Sequence, residues 1–159
     1  VERIARLANV RTYTMGVALS ACSLPHTRRP NFDLPAGEME IGMGIHGEPG
    51  VRRGPLRNAN DVVDEIMDAI LAEMGAASGD EVAVLVNSLG STPLMELYIL
   101  NARLSERLTQ AGLIVRTALV GPYCTSLEMA GASITVMHLD DELNRLIDHP
   151  CDCAMFRVG

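Results

Sequence analysis

Lysine and tryptophan are both absent from this chain, and only two phenylalanines and three tyrosines occur among its 159 residues. Each absence removes a class of chemistry. Without lysine there is no Walker-type phosphate loop, whose lysine reaches the phosphates, and no Schiff base to hold a carbonyl compound. A net charge of −7 with 3% aromatic residues supplies neither the basic footprint nor the stacking rings of a nucleic-acid surface. No uninterrupted apolar run approaches the roughly 20 residues of a membrane helix, and Val1 to Leu7 does not resemble a signal peptide. The four cysteines, Cys22, Cys124, Cys151 and Cys153, read as free thiols in a cytoplasmic chain without a membrane partner. His149, Cys151 and Cys153 lack the second Cys or His pair of a zinc site, so no metal is expected.

What is present is a chain that is 48% hydrophobic, enough to build one core. Residues 1–148 are expected to form a single α/β domain and residues 149–159 a mobile tail. The helical spacing of Ile4, Leu7 and Ala8, which begins directly at a non-methionine start, suggests that an upstream part of a longer polypeptide is missing. The pattern predicts a helix from Val1 to about Tyr13 and a buried strand at 15–19. A loop rich in proline follows, then a strand from Glu38 to Ile45. Asn58 or Asn60 should cap a helix with Val62, Val63, Ile66, Met67, Ile70 and Leu71 on one face. Strands are expected at 81–86, 113–120 and 132–139. Thr92 is expected to cap a helix beginning at Pro93 and ending before Gly112, and a short acidic helix should cover 140–147. Helices alternating with strands imply a mixed β-sheet layered with helices.

Within the segment from Glu40 to Gly50, alternation puts Met39, Ile41, Met43 and Ile45 on a core-facing row and Glu40, Gly42, Gly44 and His46 on the other. Glycines inside a strand leave nothing to pack and are usually explained by close approach of a ligand or another backbone. A ligand over Gly42 and Gly44 would meet His46, with Glu48, Arg52 and Arg53 adding charge nearby. A neutral imidazole there serves either as acid and base or as a nucleophile toward an electrophilic carbon. Gly42, Gly44 and Gly47 match the spacing of a dinucleotide fingerprint, but no helix follows directly, so that reading fails. The stretch from Asn87 to Pro93 reads first as strand end and cap, and second as a wall of the same cleft. Gly121 to Ser126 reads as a turn that packs Tyr123. His26 and His138 read as structural, and Arg28, Arg29, Arg52, Arg53 and Arg57 as solvated loop charges rather than a phosphate clamp.

Four blocks, Gly16 to Pro25, Met39 to Gly50, Val86 to Tyr98 and Gly121 to Met129, resemble the dihydroxyacetone kinase family, in particular the second half of its substrate-binding K subunit or domain. The Gly-x-Gly-Ile-His-Gly-Glu-Pro-Gly block is the most specific. The resemblance implies the second domain of the K-type fold. It also implies that His46 bonds covalently to the ketone carbon of dihydroxyacetone as a hemiaminal, with Gly42 and Gly44 at the substrate. By the same resemblance, ATP or ADP with magnesium sits on a partner L-type domain or subunit, or phosphate arrives from a phosphotransferase protein. The resemblance further implies a homodimer for the full-length form and no turnover by this chain alone. A longer ketose such as erythrulose, or a ligand-sensing relative that binds a transcription regulator, are the alternatives the family permits.

Overall fold

The computed structural model describes residues 1–27, 29–45, 48–154 and 156–158. Six strands form one sheet: β1 (Thr12–Ala18), β2 (Glu38–Ile41), β3 (Arg52–Pro55), β4 (Glu81–Ser88), β5 (Ile114–Gly121) and β6 (Gly131–His138), in the order β3-β2-β1-β6-β4-β5. Only β4 and β5 run parallel; the other neighbours are antiparallel. This is the mixed, helix-layered α/β architecture that the alternating pattern predicts. The parallel pair needs a crossover, and helix α3 (Leu94–Gln110) supplies it.

Helix α2 (Ala59–Met74) and α3 cover one face of the sheet. Their apolar sides, Val62, Val63, Ile66 and Met67 from α2 and Leu97, Leu104 and Leu108 from α3, meet Val82, Val84, Val86, Ile134 and Val136 in the main core. The other face is covered at one end only, where helices α1 (Glu2–Val10) and α4 (Asp141–Ile147) bring Ile4, Leu7 and Leu143 against Ala83 and Met137. Asn58 caps α2, its side-chain oxygen accepting from the Asp61 N–H at 3.1 Å. Asp64 accepts from both Arg103 and Arg107 of α3, tying the two helices together.

Several boundaries differ from the sequence reading. Thr12 and Tyr13 belong to β1 rather than to α1, because the row they join pairs with β6 along its whole length. Strand β2 ends at Ile41 instead of continuing to Ile45. Gly42 has a φ of +84° and turns the chain out of the sheet. The four-residue apolar row is therefore broken: Met39 and Ile41 enter the main core, while Met43 packs in a second cluster with Ala18, Cys22, Leu89 and Met129, and Ile45 lies against it. Thr92 is not the cap of α3. Its buried hydroxyl bonds Gly131, donating to the carbonyl at 2.7 Å and accepting the N–H at 2.8 Å, so Pro93 is the N-cap and the helix starts at Leu94. Strand β3 went unpredicted. In the expected tail, β7 (Cys151–Cys153) pairs with β8 (Phe156–Val158), and Phe156 meets Tyr123 edge-on.

Candidate functional site

A cavity of about 640 Å³ lies over the part of the sheet that α1 and α4 leave open. Its floor is built by strand alternation. Thr14 and Gly16 of β1, Leu85 and Asn87 of β4, and Ser133 and Thr135 of β6 all point away from the main core. The rim comes from the segment after β2, with Gly42, Gly44, Ile45 and Glu48, and from Leu89 and Cys124 on the opposite side. Asn87 thus lines the same cavity as the two glycines, which the sequence admitted as its second reading.

The loop that carries Gly42 and Gly44 is clasped at several points. The Gly42 N–H donates to the Gly16 carbonyl at 2.7 Å, the Gly44 N–H to the Glu48 carbonyl at 3.2 Å, and the Val51 N–H to the Ile41 carbonyl at 2.8 Å. The loop itself requires Gly42. A Cβ on Gly42 would lie 3.0 Å from the Val51 nitrogen, and one on Gly44 would overlap the Glu48 carboxylate. At Gly42 the close neighbour is backbone of this chain, and at Gly44 it is the end of a flexible side chain.

Glu40 was placed beside Gly42 and Gly44 on the bare side of a strand. It is buried beneath the loop, where Oε1 accepts from the Gly50 N–H at 2.6 Å and Oε2 from Arg53 at 2.7 and 2.9 Å. Burial pushes its carboxyl up, but the Gly50 N–H and the Arg53 guanidinium outweigh this and hold it below the usual carboxylate range. Arg53 is thus engaged with Glu40, and Arg52 and Arg57 with Glu65 on α2. Arg28, His46 and Gly47 lie outside the described residues.

Across the cavity, the amide of Asn87 is fully used. Its oxygen accepts the N–H groups of Tyr123 and Cys124 at 2.9 and 2.8 Å, and its nitrogen donates to the Cys124 carbonyl at 2.7 Å and the Ser133 hydroxyl at 3.2 Å. This buried side chain fixes the loop after β5. Tyr123, expected to pack within the turn, lays its ring against Gly121, 3.1 Å from where a Cβ there would stand, with its other side exposed. The sequence reads the block 121–126 first as a turn and does not show what shapes it, because Asn87 lies 36 positions upstream of Tyr123.

Among the described lining residues, the only ionisable side chains are Glu48 and Cys124, and none is basic. The walls combine hydroxyls and glycine backbone with the apolar side chains of Met15, Met43, Ile45, Val51, Leu85 and Leu89, and among the described residues they offer no cation to a phosphate. No group of three or more His, Cys, Asp or Glu among the described residues is placed to hold a metal ion, and no helix among them is long and apolar enough to cross a membrane.

Residues 1–155 match the family model of the Dak1 domain, and the chain belongs to that family. Within it, the chain is 48% identical over 158 residues to the dihydroxyacetone-binding subunit DhaK of a PTS-dependent dihydroxyacetone kinase 2 from Listeria innocua, covering 99% of this chain and 48% of that subunit. It is 40% identical to an L-erythrulose kinase of Pectobacterium atrosepticum, covering 100% of this chain and 28% of that enzyme. The chain therefore spans about half the length of the binding subunit it matches, or less of the longer kinase. Among solved structures, a dihydroxyacetone kinase operon co-activator, Dha-DhaQ, superposes with a TM-score of 0.84 at 33% identity, over 94% of this chain and 46% of its own. The dihydroxyacetone kinase of C. freundii, in complex with AMP-PNP and Mg2+, gives 0.79 at 29% identity, over 99% of this chain and 29% of that one.

Proposed function

We propose that this chain is the substrate-anchoring part of a kinase for dihydroxyacetone or a related short ketose, and that His46 holds the substrate covalently. The observation that carries the reading is the cavity, free of basic groups among its described lining residues, whose rim includes Gly42, Gly44 and Ile45, the residues that lead directly into His46. A ring nitrogen of the neutral imidazole adds to the ketone carbon. The C–N bond forms as the C=O π bond opens; the carbonyl oxygen gains a proton and the ring gives one up, so a neutral hemiaminal results with nothing released. A polyol without a carbonyl cannot form this bond, which gives a selectivity that hydroxyl contacts alone would not.

With the ketose fixed, phosphoryl transfer becomes a matter of bringing its terminal hydroxyl in line with a donor. The cavity has no basic lining among the described residues, and the chain has no lysine. The phosphoryl donor is therefore assigned to a nucleotide-bearing partner, with ATP or ADP and magnesium, or to a phosphotransferase relay. The similarity to a PTS-dependent subunit and to a kinase solved with AMP-PNP and Mg2+ supports this division. The four unpaired cysteines accord with a cytoplasmic setting. The likeness to an operon co-activator favours a second reading, in which the same anchored ketose is sensed for a transcription regulator.

The test is carbon NMR of dihydroxyacetone labelled at its carbonyl carbon. A tetrahedral carbon signal with the wild-type protein, absent with His46→Ala, is expected. A wild-type protein that gives no such signal with either dihydroxyacetone or erythrulose would sink the covalent reading. Phosphorylation that appears only when a nucleotide-bearing partner is added separates the kinase from the sensor.

A further inference from the structure

Ser126 is 8% exposed and takes no part in the chemistry proposed above. Its hydroxyl donates to the backbone carbonyl of Ile45 at 2.5 Å, across 81 residues of sequence. A serine hydroxyl has one proton. With that proton committed to Ile45, the contact at 3.6 Å with the buried Cys22 sulfur must run the other way, the thiol donating to the hydroxyl oxygen. Ser126 is itself held by its own backbone, its N–H donating to the Leu89 carbonyl at 2.7 Å and its carbonyl accepting from the Met129 N–H at 3.1 Å. The loop leading into it is fixed by Asn87 at Tyr123 and Cys124. The result is a post, built on β4, whose bond across the cavity rim ends at Ile45.

The Ile45 carbonyl belongs to the peptide group through which His46 is attached, and a peptide group is planar. Holding that oxygen sets the direction in which the chain leaves Ile45. We infer that Ser126, backed by Asn87 and Cys22, is a positioning residue: its bond to Ile45 orients the backbone that presents His46 to the ketose. This rests on the covalent reading of His46. The role is distinct from catalysis, since Ser126 is not itself among the residues that line the cavity.

The experiment compares wild type, Ser126→Ala and Ser126→Thr by titrating carbonyl-labelled dihydroxyacetone into each protein and following the tetrahedral carbon. Amide resonances of Ile45 and His46 and the melting temperature are recorded alongside. Loss of one hydrogen bond should weaken adduct formation about tenfold in Ser126→Ala, with a pH midpoint unchanged because the nucleophile is the same. Threonine, which keeps the hydroxyl, should recover most of it. The two amide resonances should broaden in the alanine variant and sharpen again with threonine. A wild-type adduct that is equally strong in Ser126→Ala overturns the inference and leaves the covalent reading intact. No adduct in any protein, with the amides still responding to the serine, overturns the covalent reading and leaves the post in place. Should Ser126→Ala fail to fold, Asn87→Asp keeps the acceptor for Tyr123 and Cys124 while removing the donor to Cys124 and Ser133; a folded Asn87→Asp protein with wild-type adduct strength also overturns it.

Discussion

Replacing Gly42 with alanine tests whether the turn after β2 is needed for its backbone conformation, for its tight contact, or for both. At φ +84° an alanine sits in the left-handed region at a cost of about 1–2 kcal/mol. Its Cβ would also stand 3.0 Å from the Val51 nitrogen and the Val51 Cγ2. A backbone nitrogen does not move aside freely, and this one donates to Ile41 at 2.8 Å, so weakening that bond adds about 1 kcal/mol. Gly37 provides the control. It has nearly the same φ, +85°, with nothing within 4 Å of an added Cβ. Both substitutions gain equally from a less flexible unfolded chain, so the difference between them isolates the contact. Thermal and urea unfolding should place Gly42→Ala about 2–4 °C below Gly37→Ala in melting temperature, and the ketose adduct should weaken only in Gly42→Ala. Equal melting temperatures for the two variants would refute the assignment of Gly42 to a close-packed turn.

Asp64 is held at about 2, chiefly by the hydrogen bond from Arg103 and then by that from Arg107. A carboxyl lowered by folding contributes stability that is complete above its unfolded value near 4 and lost as pH falls toward the folded one. The gap in urea midpoint between wild type and Asp64→Asn should therefore hold from pH 7 to 5 and close between pH 4 and 2; a gap that persists unchanged at pH 2 would exclude the α2–α3 ion pairs as its source. Thr92→Val keeps the shape of a buried side chain but takes the Thr92 hydroxyl from the Gly131 N–H and leaves the Gly131 carbonyl with the Leu89 N–H at 3.0 Å. It should cost about 2–3 kcal/mol, seen as a lower urea midpoint at unchanged slope, and a midpoint within error of wild type would show that water replaces the hydroxyl there.

The elements that could be read in advance are those whose signal is local. The face of α2 from Val62 to Ile70, its Asn58 cap and the continuous apolar run of β4 all announce themselves within a few residues. The misreadings come from partners distant in sequence. Thr92 has the form of a cap, but its hydroxyl is claimed by Gly131. Strand β3, Arg-Arg-Gly-Pro, has no apolar alternation; it is an edge strand paired with β2 and tied down by Arg52 and Arg53 to Glu65 and Glu40. Alternation through Gly42 to Ile45 looked like a longer strand because a glycine's positive φ leaves no mark in a hydropathy pattern. At the site, the block ending in His46 stood out by composition, whereas Asn87 and Ser126 could be recognised as one support only after the sheet had brought 45, 87 and 126 together.

Strand β6 sits between β1 and β4 and bonds to both along its length, so that Val17 faces Ala132 on one side and Val86 faces Ile134 on the other. It is also the last strand of the sheet to be synthesised. Before residues 131–138 emerge, β1 with β2 and β3, and β4 with β5, are two separate ribbons with no strand pairing between them. Joining them closes a loop that spans most of the chain, an entropy cost met late and a reason for slow folding. The cavity floor draws on all three central strands, so a nascent or truncated product that stops before Gly131 has no site to offer, however well its histidine loop is formed.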